Sequence, residues 1–184
     1  MISNTIRHCF YTIVVLTAFL PCPDAHGDTA QPEYRVKAAI VYKVAKFVSW
    51  PTSAFETKQA PLVMCITGKD PFRQYIDNLD GQSIRGRPLV VRRVTDEDLT
   101  LRRCHIVFVP DDSAETDVLT ALQKMPILTI GDADDFAETG GILGLSLENN
   151  RIAFEINLDA AKDSGLDISA SLLQLSTIVK GPAS

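Results

Sequence analysis

Cys104-His105-Ile106-Val107-Phe108-Val109 is the stretch whose reading decides the fold. It is short, rich in Ile and Val, and lacks the polar alternation of a half-exposed strand, so it reads as a strand buried on both faces. Leu62-Val63-Met64-Cys65-Ile66-Thr67 has the same character, and Pro88–Val94 and Ile127–Ile130 repeat it more weakly. A Gly68-Lys69-Asp70-Pro71 turn and a short helix through Leu79 separate the first two strands. Ala114–Lys124 has the length and pattern of a helix between the last two. Strands that alternate with helices predict a largely parallel sheet covered on both sides.

Two segments frame this core. Upstream, Val36, Ile40, Val44, Phe47 and Val48 recur at helical spacing from Glu33 onward, with Pro32 suited to a helix start and Pro51 to its end. Downstream, Ile142–Leu147 alternates apolar residues with Gly144 and Ser146, and Ile152, Phe154, Ile156 and Leu158 alternate with Ala153, Glu155 and Asn157. Asn149-Asn150 between these runs predicts a hairpin, because Asn tolerates positive φ. A final helix from about Ile168 would carry Ile168, Leu172, Leu175 and Val179 on one face, with Asp167 as N-cap. The expected fold is therefore a single three-layer α/β domain. Its largely parallel sheet is flanked by helices and followed by a C-terminal antiparallel hairpin and a last helix.

The first residues read as an export signal. Arg7 precedes an apolar run ending at Leu20, Pro21 and Pro23 break it, and Ala25-His26-Gly27 offers small residues for cleavage. The run is too short to span a bilayer comfortably, which needs about 20 apolar residues. Cys22 offers a lipid-anchored alternative, but Phe19-Leu20-Pro21 stands where a lipobox wants small residues. The expected organisation is a signal peptide over 1–27 and one domain over 28–184, delivered to the periplasm. Removing Arg7 and Asp24 together leaves the formal charge at −5. That mild acidity, without clustered basic charge, argues against nucleic acid as a partner.

Beyond the leader, two cysteines remain, Cys65 and Cys104. An oxidising compartment and an even count favour a structural disulfide between them, with two buried free thiols as the alternative. A redox-active pair is disfavoured because Cys-x-x-Cys at a helix start is absent.

The residues that could carry chemistry are few. His105 is the sole histidine after the leader and sits on a strand, where such a residue is more often structural than catalytic. With one histidine and two spaced cysteines there is no metal-ligand pattern. No Gly-x-Ser-x-Gly elbow, dinucleotide fingerprint or phosphate-binding loop occurs. No catalytic residue, metal or cofactor is expected. Asp111-Asp112 and Asp132, Asp134, Asp135 follow two strands, at the ends where open α/β sheets bind ligands. Asp111, Asp132 and Asp134 are thus candidate ligand contacts, against the plainer reading that they cap following helices. Trp50 reads as a core anchor at a helix end. On the last helix, Leu173 and Ile178 lie off the apolar stripe and are candidate partner contacts.

Several segments in order resemble the YfiR-like family of periplasmic proteins. These are Val36-Lys37-Ala38-Ala39-Ile40 through Lys46-Phe47-Val48-Ser49-Trp50-Pro51, Gly86-Arg87-Pro88-Leu89 with Val91-Arg92-Arg93-Val94, and Cys104–Val109. Arg151–Asn157, Ala160-Ala161, Gly165-Leu166, Ile168-Ser169 and Leu172-Leu173 resemble the family's end. The resemblance implies a homodimeric regulator that binds the periplasmic sensor portion of an inner-membrane diguanylate cyclase of the YfiN type. Repression of that cyclase would limit cyclic-di-GMP and biofilm formation, and a YfiB-type outer-membrane lipoprotein could sequester the regulator. Cys65 and Cys104 match one disulfide of the family, whereas a second pair near the hairpin has no counterpart, since no cysteine follows Cys104. Three function classes follow: an interaction protein, a small-ligand sensor acting on another membrane partner, and an exported enzyme with an unrecognised acid/base site. The absence of a nucleophile–base pair in the sequence disfavours the third.

Overall fold

The computed structural model describes residues 30–94, 99–111, 115–149 and 151–182. The expected signal peptide, Asp112 and Asn150 lie outside the described residues. Five parallel strands form the centre of an eight-stranded sheet: β2 (Leu62–Ile66), β4 (Arg87–Arg93), β5 (Ile106–Val109), β6 (Leu128–Gly131) and β7 (Leu143–Glu148). With β3 (Ser83–Ile84), β8 (Arg151–Asn157) and β10 (Thr177–Val179), the order across the sheet is β10-β8-β7-β6-β5-β2-β4-β3. The short β3 pairs antiparallel with β4 and closes one edge, while β10 pairs parallel with β8 at the other.

Side chains alternate between two cores, as a strand's period of two requires. Leu62, Met64 and Ile66, with Ile106 and Phe108, pack on one face under α1 (Ala30–Ala45). Val63 and Cys65, with Val107 and Val109, pack on the other under α3 (Glu115–Leu122), which contributes Val118, Leu119 and Leu122. Burial on both faces is why these strands read as unbroken apolar runs. The three-layer α/β domain with a mostly parallel sheet and a C-terminal hairpin is the observed architecture. In the hairpin, Leu145 faces Phe154 and Glu148 faces Arg151, and Asn149 has φ 47° at the turn.

Cys65 on β2 and Cys104 just before β5 form a disulfide, with Cα atoms 6.0 Å apart. Both residues are buried in the α3-side core. In the same core the ring of Phe136 lies against the backbone of Gly131 and Gly141. A Cβ at either glycine would collide with that ring, so the close approach requires glycine at both positions.

Three boundaries differ from the sequence reading. Helix α1 ends at Ala45, and Val48-Ser49 form β1, paired antiparallel with β9 (Asp167–Ile168). The buried stripe of α1 is Lys37, Ala38, Val41, Val44 and Ala45, while Val36 and Phe47 are 44% and 42% exposed. Small alanines and the long stem of Lys37 fill the inner face, and a count of large apolar residues overlooks both. The expected last helix is a single turn, α5 (Ala170–Leu173), capped by the Ser169 side chain, which accepts from the Leu172 N–H. Ile168 and Val179 belong to strands β9 and β10, because each finds a backbone partner there. Between hairpin and β9 stands α4 (Leu158–Asp163), absent from the sequence reading and capped by Asn157, whose side chain accepts from Ala160 N.

Candidate functional site

The first candidate place is the carboxyl end of the parallel strands, where β5 leads to Asp111 and β6 to Asp132. The structure brings these two together: the Asp111 N–H donates to Asp132 Oδ1 over 3.1 Å. The Asp132 carboxylate points inward and is also met by α1. The Tyr34 hydroxyl donates to its Oδ2 at 2.7 Å, and Lys37 Nζ stands 3.1 Å from the same oxygen. The side chains of Lys37 and Asp132 are 4% and 2% exposed. Lys37 also pairs with Glu33, one helical turn earlier, at 2.6 Å. Burial, followed by the bond to Asp132, holds the Tyr34 phenol well above its ordinary range, so it stays a proton donor. Asp134 is exposed nearby in sequence but makes no contact with this cluster among the described hydrogen bonds and ion pairs.

The consequence is chemical. A carboxylate placed where an α/β sheet would meet a ligand already holds an internal cation and two further donors, so the first turns of α1 occupy that crevice. Among the described residues no group of three His, Cys, Asp or Glu side chains is arranged to hold a metal ion. Neither Tyr34 nor Lys37 was singled out from the sequence as a partner for Asp132. The available signal was the Glu33–Lys37 spacing, which marks an i,i+4 pair but not its distant acid.

The second place surrounds His105. Its Nδ1 accepts the Val63 N–H at 3.0 Å, and Nε2 lies 3.0 Å from the Ala54 carbonyl oxygen, which fixes the neutral tautomer with the proton on Nε2. Phe55 stacks on the imidazole at 4.4 Å between ring centroids, and the Arg87 guanidinium covers the other ring at 3.5 Å. Trp50 Nε1 donates to the His105 carbonyl at 3.0 Å, so Trp50 anchors the chain after β1 to the main sheet. Burial lowers the His105 pKa below its ordinary value, with the Arg87 charge adding a little and the Ala54 bond opposing. Every polar atom of the ring is used by backbone, as expected of a structural histidine.

The third place is the β8–β10 margin. Leu173 is partly buried against the α1-side core, whereas Ile178 on β10 is 49% exposed. By register Ile178 lies beside Ile156 and Leu147 opposite Ile152, so these side chains share the α1 face with Phe154. Leu147 is half exposed, and Leu175, just before β10, is 75% exposed. On the opposite face of β8, Glu155 has its pKa raised by burial and then by Glu138, Asp135 and Glu148. The margin is thus apolar on one side and acidic on the other, with a three-residue strand at its rim. The exposure of Leu175 escaped the sequence reading, because a continuous last helix turns it toward the core.

The model of the YfiR/HmsC-like family matches residues 34–177, from the Tyr34 that meets Asp132 to the first residue of β10. The match covers most of the chain and all five central strands. The chain belongs to the YfiR/HmsC-like family.

Proposed function

From that membership we propose that the chain is a periplasmic regulator without chemistry of its own. It binds the periplasmic sensor portion of a YfiN-type inner-membrane diguanylate cyclase and keeps the cyclase inactive. The family match over residues 34–177 is the observation that carries this reading, and the export signal read at the N-terminus agrees with it. It acts as a homodimer, and a YfiB-type outer-membrane lipoprotein relieves repression by capturing it. The cyclase contact falls on the β8–β10 margin, where Leu147, Leu175 and Ile178 keep apolar surface exposed.

Two measurements test it. Deleting the gene raises cellular cyclic-di-GMP and biofilm mass when the cognate cyclase is present; unchanged levels refute the regulatory role. Complementation with Leu175→Asp/Ile178→Asp leaves cyclic-di-GMP high although the protein accumulates and melts as the parent does. Full repression by that variant removes the margin as the contact, and pull-down from inner membrane then locates the true one.

A further inference from the structure

At the amino end of the parallel strands, opposite Asp111 and Asp132, a cavity of about 510 Å³ opens between α3, α4 and the residues after β10. That size lies within the range of small-molecule sites, roughly 300–1,000 Å³. Leu119, Leu122, Ile127 and Ile142 give it an apolar wall, and polar side chains form the rest. Two hydroxyls reach it from buried residues: Thr129, 5% exposed, and Ser164, 8% exposed. Thr129 Oγ1 accepts the Ile142 N–H at 3.0 Å, which uses a lone pair and leaves its proton without an acceptor among the described residues. The Ser164 hydroxyl has no side-chain hydrogen bond among the described residues, although its backbone N–H is bonded to Ala160. Two hydroxyl protons in one cavity without a protein acceptor among the described residues offer themselves to an occupant that accepts hydrogen bonds.

The rim sets the charge of that occupant. Lys124 and Lys180 border the cavity and have no ion-pair partner among the described residues. Of the two rim carboxylates, Asp159 lies 3.9 Å from Lys162. The second, Asp163, belongs to the same helix. Asp163 has no ion pair among the described residues, so two rim cations stand against one rim carboxylate without a partner there. We propose that this cavity binds a small monocarboxylate with an apolar body. The carboxylate accepts from Thr129 and Ser164 beneath the lysines, and the hydrocarbon part lies against Leu119, Leu122, Ile127 and Ile142. This site lies away from the β8–β10 apolar face and is read on the purified chain alone, so its fate and that of the partner reading are separable.

The test uses phenylacetate and hexanoate as probes, with phenylacetamide and phenethylamine as neutral and cationic controls. At about ten times its Kd, a carboxylate raises Tm by about 3–6 °C for a chain of this size. Amide shifts in ¹⁵N spectra centre on Thr129, Ile142 and Ser164. Ser164→Ala weakens phenylacetate about tenfold or more, the loss expected for a hydrogen bond to a charged group. Lys124→Gln/Lys180→Gln, at exposed positions, weakens it likewise and serves even where Ser164→Ala lowers stability. The proposal is overturned if neither carboxylate shifts Tm, if phenylacetamide or phenethylamine binds as tightly, or if the perturbed amides cluster elsewhere.

Discussion

Lys37→Met is the substitution that most directly tests how the carboxyl end of the sheet is closed. Lys37 and Asp132 stand 3.1 Å apart with almost no solvent exposure. At an effective dielectric of 20 their attraction is about 5 kcal/mol, and desolvation of both ions cancels much of it. Removing one partner forfeits the attraction and keeps the other's desolvation, which costs about 3–5 kcal/mol in buried pairs. The two single changes are not equivalent. After Lys37→Met the Asp132 carboxylate retains the Tyr34 hydroxyl and the Asp111 N–H, but it loses the one cation paired with it among the described residues. After Asp132→Leu, Lys37 keeps Glu33 at 2.6 Å. We expect losses of about 4 kcal/mol for Lys37→Met and about 3 kcal/mol for Asp132→Leu, with the double variant well short of their sum. Urea unfolding followed by circular dichroism supplies all four corners of the cycle. The coupling should reach at least about 2 kcal/mol. Single-variant losses below about 1 kcal/mol, or additive ones, would mean the pair is solvated in solution and that α1 does not seal the crevice.

Three further outcomes follow from the packing. Cys65→Ala/Cys104→Ala opens a cross-link over 39 residues, worth about 4 kcal/mol in the chain-entropy model, and should lower Tm by roughly 8–16 °C. An unchanged Tm by calorimetry would show the bridge to be dispensable. Stability should fall as pH drops below about 6.5, because the unfolded chain takes up a proton that buried His105 resists until its lower folded pKa is reached. His105→Gln should flatten the urea midpoint between pH 5 and 8, and an unchanged slope would place the titration elsewhere. Gly131→Ala drives a methyl into the Phe136 ring and should cost about 1–3 kcal/mol, whereas Gly131→Ala/Phe136→Leu should recover part of that loss. A double variant less stable than Gly131→Ala alone would deny the clash.

The central strands were legible because both faces of β2 and β5 are buried, which leaves runs such as Ile106–Val109 with no polar position. The hairpin was legible for the opposite reason, since its polar positions alternate and Asn149 supplies the positive φ. Helical ends were not. Ile168, Leu172, Leu175 and Val179 keep helical spacing, but Ile168 gains a partner on β1, 120 residues away, and Val179 one on β8, 22 residues away, and pairing at such distances leaves no local mark. The acids after β5 and β6 were found by position. Their use was hidden because the cation that answers Asp132 comes from a helix 95 residues earlier.

Those two long-range facts bear on how a regulator of this build can act. Lys37 ties α1 to the end of β6, and the Val48–Ile168 pair ties the segment after α1 to the one before α5. The disulfide joins β2 to the approach of β5 beneath the opposite face. Both sides of the central sheet are therefore stapled by contacts distant in sequence, which makes large internal rearrangement of β2, β5 and β6 costly. The β8–β10 margin lies outside these staples: β10 is three residues long, holds the sheet through β8 alone, and leads directly into the Lys180–Pro182 segment that borders the 510 Å³ cavity. An occupant of that cavity would lie against the segment that follows β10, and a shift of β10 would move Ile178 on the proposed docking face. Ligand and partner are coupled through β10 on this reading, and a disulfide fixing β10 to β8 should abolish the effect of ligand on partner affinity while leaving each binding event measurable alone; an effect that persists in the cross-linked protein refutes that route.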